Sequence, residues 1–215
     1  MIVETLAVGP LQANCYILGC EQTREAVVID PGDEAPRIAA RLRQLELHLK
    51  QVIATHAHLD HVLGVRGLCE ETGAPFLLHP LEEPVLAVLQ DWTRLWLGYD
   101  PGPPPTVDGY LSEDEPVAFG KCELEVRLTP GHSPGSVSLV DHAGRRVFVG
   151  DLLFQGSIGR SDLPGGDHAT LIRSVETRIF PLGDDYAVLT GHGPATTVGR
   201  ERRLNPFFNR RAGLW

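Results

Sequence analysis

Short apolar or alternating runs open the chain: Ile2 to Val8, Cys15 to Leu18 and Ala26 to Ile29, split by Gly9-Pro10 and by the polar residues 21–25. Such runs predict antiparallel strands. Asp30-Pro31-Gly32-Asp33 closes them. From Glu34 to Leu47 the apolar Ile38, Ala39, Leu42 and Leu45 recur at helical spacing among charged residues, which predicts an amphipathic surface helix. A strand from Val52 to Ala54 follows, then a helix from Val62 to Thr72 closed by Gly73, a strand from Pro75 to Leu78, and a helix from Pro80 to Gly98 stopped by the proline-rich run 101–105. Trp92 and Trp96 stand four apart on that helix and are expected to pack on the core, in preference to forming an aromatic lid over a pocket. The second half predicts strands at Pro116 to Phe119, Glu123 to Leu128, Ser136 to Val140, Arg146 to Val149 and Tyr186 to Leu189. Between the last two, a helix from Asp167 to Ile179 is expected, with Asp167 as its N-cap. Strands and helices in this order predict an α/β chain with two sheet-plus-helix halves.

At 215 residues, 42% hydrophobic and 22% charged, the chain can bury a sizeable core, and the expectation is one domain over residues 1–215. A net charge of -9 leaves no basic stripe, which argues against a nucleic-acid partner. No apolar run reaches membrane-spanning length and the first residues lack the pattern of a secretory signal, so neither a membrane partner nor export is expected and the cytoplasm is the predicted location. Cys15, Cys20, Cys69 and Cys122 are widely spaced, as reduced thiols are. Phe207, Phe208 and Trp215 in the tail are expected to cover the core or a second copy of the chain, which leaves a homo-oligomer open.

The chemistry concentrates after the strand ending at Ala54. His56-Ala57-His58-Leu59-Asp60-His61 puts three imidazoles and a carboxylate into six residues. In an extended segment alternate residues share a side, so His56, His58 and Asp60 are expected to converge while His61 turns to a neighbouring position. Imidazole with carboxylate suits a hydrolytic or oxygen-handling metal centre better than a structural thiolate site. Three more strand ends carry ligand-type residues: His132 in the turn Thr129-Pro130-Gly131-His132-Ser133-Pro134-Gly135, Asp151 after Val149-Gly150, and His192 after Thr190-Gly191. Strand ends are where α/β architectures place function. The other histidines, His48, His79, His142 and His168, are expected in turns or on the surface.

In order along residues 56 to 192, His-x-His-x-Asp-His, Gly-His, Gly-Asp and Gly-His resemble the metallo-β-lactamase superfamily. The resemblance implies a four-layer αββα sandwich, two mixed sheets face to face with helices outside, and a two-metal site at one sheet edge. Carried onto this chain, one ion takes His56, His58 and His132, the second takes Asp60, His61 and His192, and Asp151 bridges. Asp30 would orient a ligand histidine rather than bind metal. The ions would be divalent, zinc first, with iron or manganese as alternatives. The stretch 150–162 and the tail from Gly191 to Phe207 are most similar to short, one-domain glyoxalase II-type hydrolases lacking the C-terminal glutathione-binding domain of longer forms.

That similarity implies a small-molecule thioester such as S-lactoylglutathione, attacked by a bridging hydroxide with Asp60 and Asp151 as catalytic carboxylates. No Gly-x-Ser-x-Gly elbow offers a serine nucleophile instead. Arg160 is a candidate contact for the substrate's charged groups, and a salt bridge with Asp162 is an equal use for it. Glutathione contacts would come from the Trp92 to Tyr110 segment or a neighbouring subunit. Persulfide dioxygenase, with one iron on His56, His132 and Asp151, and lactone or ester hydrolysis are the alternatives; the position of Asp151 argues against a β-lactam substrate.

Overall fold

The computed structural model describes residues 1–209. The chain divides into two compact units, residues 1–111 with 117–123, and residues 112–116 with 124 onward.

The first unit is built on a mixed sheet of β1 (Ile2–Val8), β2 (Ala13–Gly19), β3 (Glu25–Ile29), β4 (His48–Ile53), β5 (Phe76–Leu78) and β6 (Gly109–Tyr110), in that spatial order. The first three strands are antiparallel and joined by short turns. From β3 onward the pairing is parallel, so each return needs a crossover. α1 (Ala35–Gln44) links β3 to β4, α2 (Leu59–Val62) and α3 (Val65–Thr72) link β4 to β5, and α4 (Glu83–Ala87) and α5 (Leu89–Leu97) link β5 to β6. Ile17, Val28, Ile38, Leu42, Val52, Leu68 and Phe76 form the core of this unit. Each such side chain contributes about 1.5–3 kcal/mol by leaving water. A short strand, β7 (Val117–Phe119), also belongs to the unit.

The second unit holds β8 (Cys122–Leu128) from Leu124 onward, β9 (Val137–Asp141), β10 (Arg146–Gly150), the small hairpin of β11 (Leu153–Phe154) and β12 (Ser157–Ile158), β13 (Ala187–Thr190) and β14 (Thr196–Thr197). The large sheet of this unit runs β14-β13-β10-β9-β8. It is antiparallel except where β10 meets β13 in parallel. The crossover between those two contains α6 (His168–Ser174), with Asp167 as N-cap accepting from the Thr170 amide at 2.7 Å. α7 (Val198–Leu204) follows β14. Val147, Val149, Leu171, Val175, Ile179 and Val188 pack together, with Phe208 against them.

Several predicted helices are interrupted. The helix expected over 62–72 is preceded by α2, and α3 starts at Val65, because Gly64 lies so close to the Pro31 carbonyl that a Cβ would sit 2.5 Å from it. The helix expected over 80–98 is a 3-10 turn, Pro80–Glu82, then α4 and α5. Pro84 sits in the first turn of α4, where its missing N–H costs nothing, and the chain leaves helical geometry at Val88. The core expectation fails for Trp96 and is met only in part by Trp92: Leu89 and Thr93 occupy the buried face of α5, Trp96 is 55% exposed, and the half-buried Trp92 stacks on it at 6.0 Å. The helix expected over 167–179 continues past Ser174 as a π turn, Val175–Ile179. In the tail Phe208 packs on Phe180 at 5.0 Å while Phe207 is exposed; Trp215 lies outside the described residues. Among the described residues no helix is long and apolar enough to cross a membrane.

Candidate metal centre

In the first unit, the parallel run of β3 and β4 brings their C-terminal ends to the same edge, and the Asp30 amide donates to the Ile53 carbonyl at 2.8 Å. Asp30 is 1% exposed and adopts a left-handed backbone, φ 53°, which a short carboxyl side chain tolerates better than most. Its Oδ1 accepts from the Thr55 amide at 2.6 Å; its Oδ2 accepts from the Thr55 hydroxyl at 2.7 Å and faces His61 Nδ1 at 3.0 Å. A carboxylate can only accept, so His61 carries its proton on Nδ1 and keeps a lone pair on Nε2. The same logic reaches His56 in one more step. The Thr55 hydroxyl has given its only proton to Asp30, so toward His56 Nδ1, 3.1 Å away, it accepts. His56 is thereby also held with its lone pair on Nε2.

The rings of His56 and His58 meet edge-on at 4.8 Å, and those of His56 and His61 lie 4.2 Å apart. The extended reading of this run holds only as far as His58, whose backbone is extended (φ -67°, ψ 151°). Asp60 and His61 instead stand in α2, so a helical turn rather than strand alternation delivers them, with Asp60 Oδ2 3.8 Å from His61 Nε2. Gly32 makes this possible. A Cβ there would sit 1.6 Å from the Asp60 carbonyl oxygen, so the loop after Asp30 can press on the backbone of α2 only as glycine.

The second unit assembles its ligand-type residues at the end of β10 and around it. His132 occupies a turn closed by the Thr129 amide donating to the Ser136 carbonyl at 2.8 Å. Its Nδ1 lies 2.7 Å from the Arg160 carbonyl oxygen, an obligate acceptor, so this ring too keeps its lone pair on Nε2. That nitrogen stands 3.7 Å from Asp151 Oδ2, and His192 Nε2 stands 3.7 Å from the same oxygen. Parallel pairing again sets the edge, with the Gly191 amide donating to the Gly150 carbonyl at 2.7 Å. Gly159 repeats the role of Gly32, since a Cβ there would sit 1.7 Å from the Asp151 carbonyl oxygen. The Arg160 guanidinium is paired with Asp162 at 2.8 and 2.9 Å and holds that carboxyl below its ordinary value.

The donor set fits divalent metal. Three of the five imidazoles are locked in the tautomer that leaves Nε2 able to bind a cation. His56, His61 and His132 are buried, at 1%, 0% and 2%, where a lone surface cluster would be exposed. The 3.7–3.8 Å separations between Nε2 and carboxylate oxygens exceed a hydrogen bond. They match the roughly 3–4 Å expected of two ligands each about 2.0–2.2 Å from one ion. Sequence reading missed Thr55, the Arg160 carbonyl and the two glycines. Thr55 leaves a faint signal as a hydroxyl directly before the histidine run, whereas a carbonyl has no residue identity to read.

A sequence model of the metallo-beta-lactamase superfamily matches residues 8–192. The chain is 36% identical to hydroxyacylglutathione hydrolase GloC of Haemophilus influenzae, over 97% of this chain and 99% of that protein. Among solved structures it is similar to TTHA1623 in a di-iron-bound form, with 41% identity, a TM-score of 0.86, and 95% and 100% of the two chains covered. It is also similar to the B3 metallo-beta-lactamase BLEG-1, with 36% identity, a TM-score of 0.89, and 96% and 99% covered. The fold expected from the sequence, mixed α/β with two large mixed sheets and helices, is the fold of these structures.

Proposed function

Starting from the metallo-beta-lactamase superfamily, to which this chain belongs, we propose a metal-dependent hydrolase of the glyoxalase II type, cleaving a small thioester such as S-lactoylglutathione. The observation that carries the metal-dependent part is the tautomer locking of His56, His61 and His132, which prepares Nε2 lone pairs in both units. The thioester part is supported by the full-length similarity to a protein named hydroxyacylglutathione hydrolase. In this reading His56, His58 and His132 would hold one divalent ion, Asp60, His61 and His192 would hold a second, and Asp151 would serve both. Zinc is the first choice, and the di-iron form of a 41% identical protein supports iron.

Bound ions would supply acidified water and a polarised carbonyl. The chain's own contribution is to hold the ligand rings and to provide carboxylates. In this reading Asp60, half-buried on α2, would take the proton that the attacking water loses and return it to the departing thiol sulfur, so that the acyl C–S bond breaks to give an acid and a thiol. Arg160 is retained as a contact for an anionic substrate group. We place the protein in the cytoplasm and assign it a small-molecule substrate, with no nucleic-acid partner at a net charge of -9.

β-Lactam hydrolysis is the second reading, and the BLEG-1 similarity favours it against the sequence expectation. The test is anaerobic metal analysis combined with assays on S-lactoylglutathione, a chromogenic cephalosporin, and glutathione persulfide with oxygen uptake. Two ions and thiol release are expected. Cephalosporin turnover alone would move the assignment to the second reading, and one iron with oxygen consumption would replace hydrolysis by persulfide oxidation. Asp151→Ala should lose bound metal and activity together; full activity with one ion would sink the two-metal mechanism.

A further inference from the structure

Glu82 is a carboxyl side chain that is fully buried, at 0% exposure, in the 3-10 turn after β5. Taking such a group out of water costs several kcal/mol unless hydrogen bonds compensate, so its retention needs a reason. Its Oε2 accepts from the Ala57 amide at 2.8 Å. Ala57 is the residue between His56 and His58, and it is itself 1% exposed. The turn carrying Glu82 is tied to the end of β5 by its own amide, which donates to the His79 carbonyl at 2.9 Å. β5 is in turn hydrogen-bonded to β4 through the Ala54 amide and the Leu77 carbonyl at 3.2 Å. Thus the two parallel strands present the histidine run and Glu82 at the same edge.

We propose that Glu82 is a positioning residue for the metal ligands, fixing the peptide between His56 and His58 so that both imidazoles leave the backbone in the directions one ion requires. The proposal rests on the metal-binding reading and adds a residue to it. Anchoring the Ala57 N–H fixes the plane of the His56–Ala57 peptide, and with it the course of the chain on either side. Asp30 and Thr55 orient the ring of His56 from its Nδ1 side, while Glu82 restrains the backbone that carries it. The two restraints come from different strands and act on different bonds.

The role predicts a particular order of variants. Glu82→Gln keeps an oxygen that can accept from Ala57. Glu82→Asn is one methylene too short, and Glu82→Met keeps volume but offers no comparable acceptor. Zn2+ affinity of the metal-free proteins, read by competition with a chromophoric chelator, should stay within about threefold of wild type for the Gln variant and fall about 10- to 100-fold for Asn and Met. The visible spectrum of the Co2+-loaded protein, which reads ligand geometry, should be unchanged for Gln and altered for Asn or Met. If wild type binds no Zn2+, the metal-binding reading fails. If wild type binds and a folded Asn or Met variant binds equally well with the same Co2+ spectrum, the role of Glu82 alone is overturned. Loss of folding in both the Asn and Met variants would assign Glu82 to the core and overturn it likewise, as would a Gln variant as weak as the other two.

Discussion

Asp30 does the work of two hydrogen-bond acceptors for three donors, and its effect reaches two imidazoles, one directly and one through Thr55. Replacing it by alanine strands those donors, at about 1–3 kcal/mol for each one left buried without a partner. Asp30→Asn is the more informative change. Asparagine accepts the left-handed backbone and can still receive the Thr55 amide, but it turns an NH2 toward His61 Nδ1 and the Thr55 hydroxyl. His61 must then place its proton on Nε2, the nitrogen needed for metal. The expected result is a protein that melts near the wild-type temperature and binds Zn2+ about 10- to 100-fold more weakly. Wild-type affinity in a chelator competition would show that Asp30 does not set the tautomer. The place of Asp30 at the end of an early strand was legible in the sequence, while its role toward a histidine came only from the superfamily resemblance. Thr55 and the Arg160 carbonyl were not legible, since hydrogen bonds made by a common hydroxyl or a main-chain oxygen leave no distinctive letter.

Elements position the candidate ligands through close contacts that admit no side chain. Gly32 touches the backbone of α2 at Asp60, and Gly159 touches the backbone at Asp151. Gly32→Ala and Gly159→Ala should each push a ligand carboxylate off its position, and a displacement near 1 Å can cost about 100-fold in kcat/KM. Steady-state kinetics at saturating metal is the measurement, and unchanged values would mean that the loops yield instead. At the start of α6, hydrogen bonds from the Thr170 side chain and then its amide lower the pKa of Asp167 from 3.8. A lowered folded pKa adds stability above the unfolded value and loses it as pH falls through the folded one. Asp167→Ala should therefore melt below wild type at neutral pH, and the gap should close below pH 3.8 in thermal scans. This cap was readable from the chain; the breaks at Gly64 and Val88 were not, because a close approach to Pro31 and a change of helix direction are tertiary events that periodicity does not encode.

For the whole molecule, ligands that bind only the native chain stabilise it by mass action, about 2.7 kcal/mol at a concentration one hundred times Kd. Chelation should accordingly lower Tm, and restoring Zn2+ should raise it in proportion to the logarithm of free metal. A Tm insensitive to both would leave the histidine and aspartate cluster without a cation. The order of strands was only partly legible at this scale. Apolar runs placed every strand longer than two residues and missed the two-residue β6, β11, β12 and β14, but nothing in Arg146–Gly150 and Ala187–Thr190 says that they pair in parallel across the intervening α6. Similarly, Trp96 of α5 was misplaced because a four-residue aromatic spacing does not distinguish a buried face from a flank that Leu89 and Thr93 leave uncovered. The candidate ligand residues stood out more readily, since histidine and aspartate in turns after apolar runs are few and chemically specific.

The parallel course of β3, β4 and β5 separates two edges of one sheet by purpose. All the chemistry of that unit gathers where these strands end, so the connections that lead into their beginnings are free to vary. Gly73, before β5, is exposed and has open space around it. A tag, a fluorophore or a short inserted peptide belongs there, where lengthening the chain leaves the ligand loops at the other edge undisturbed.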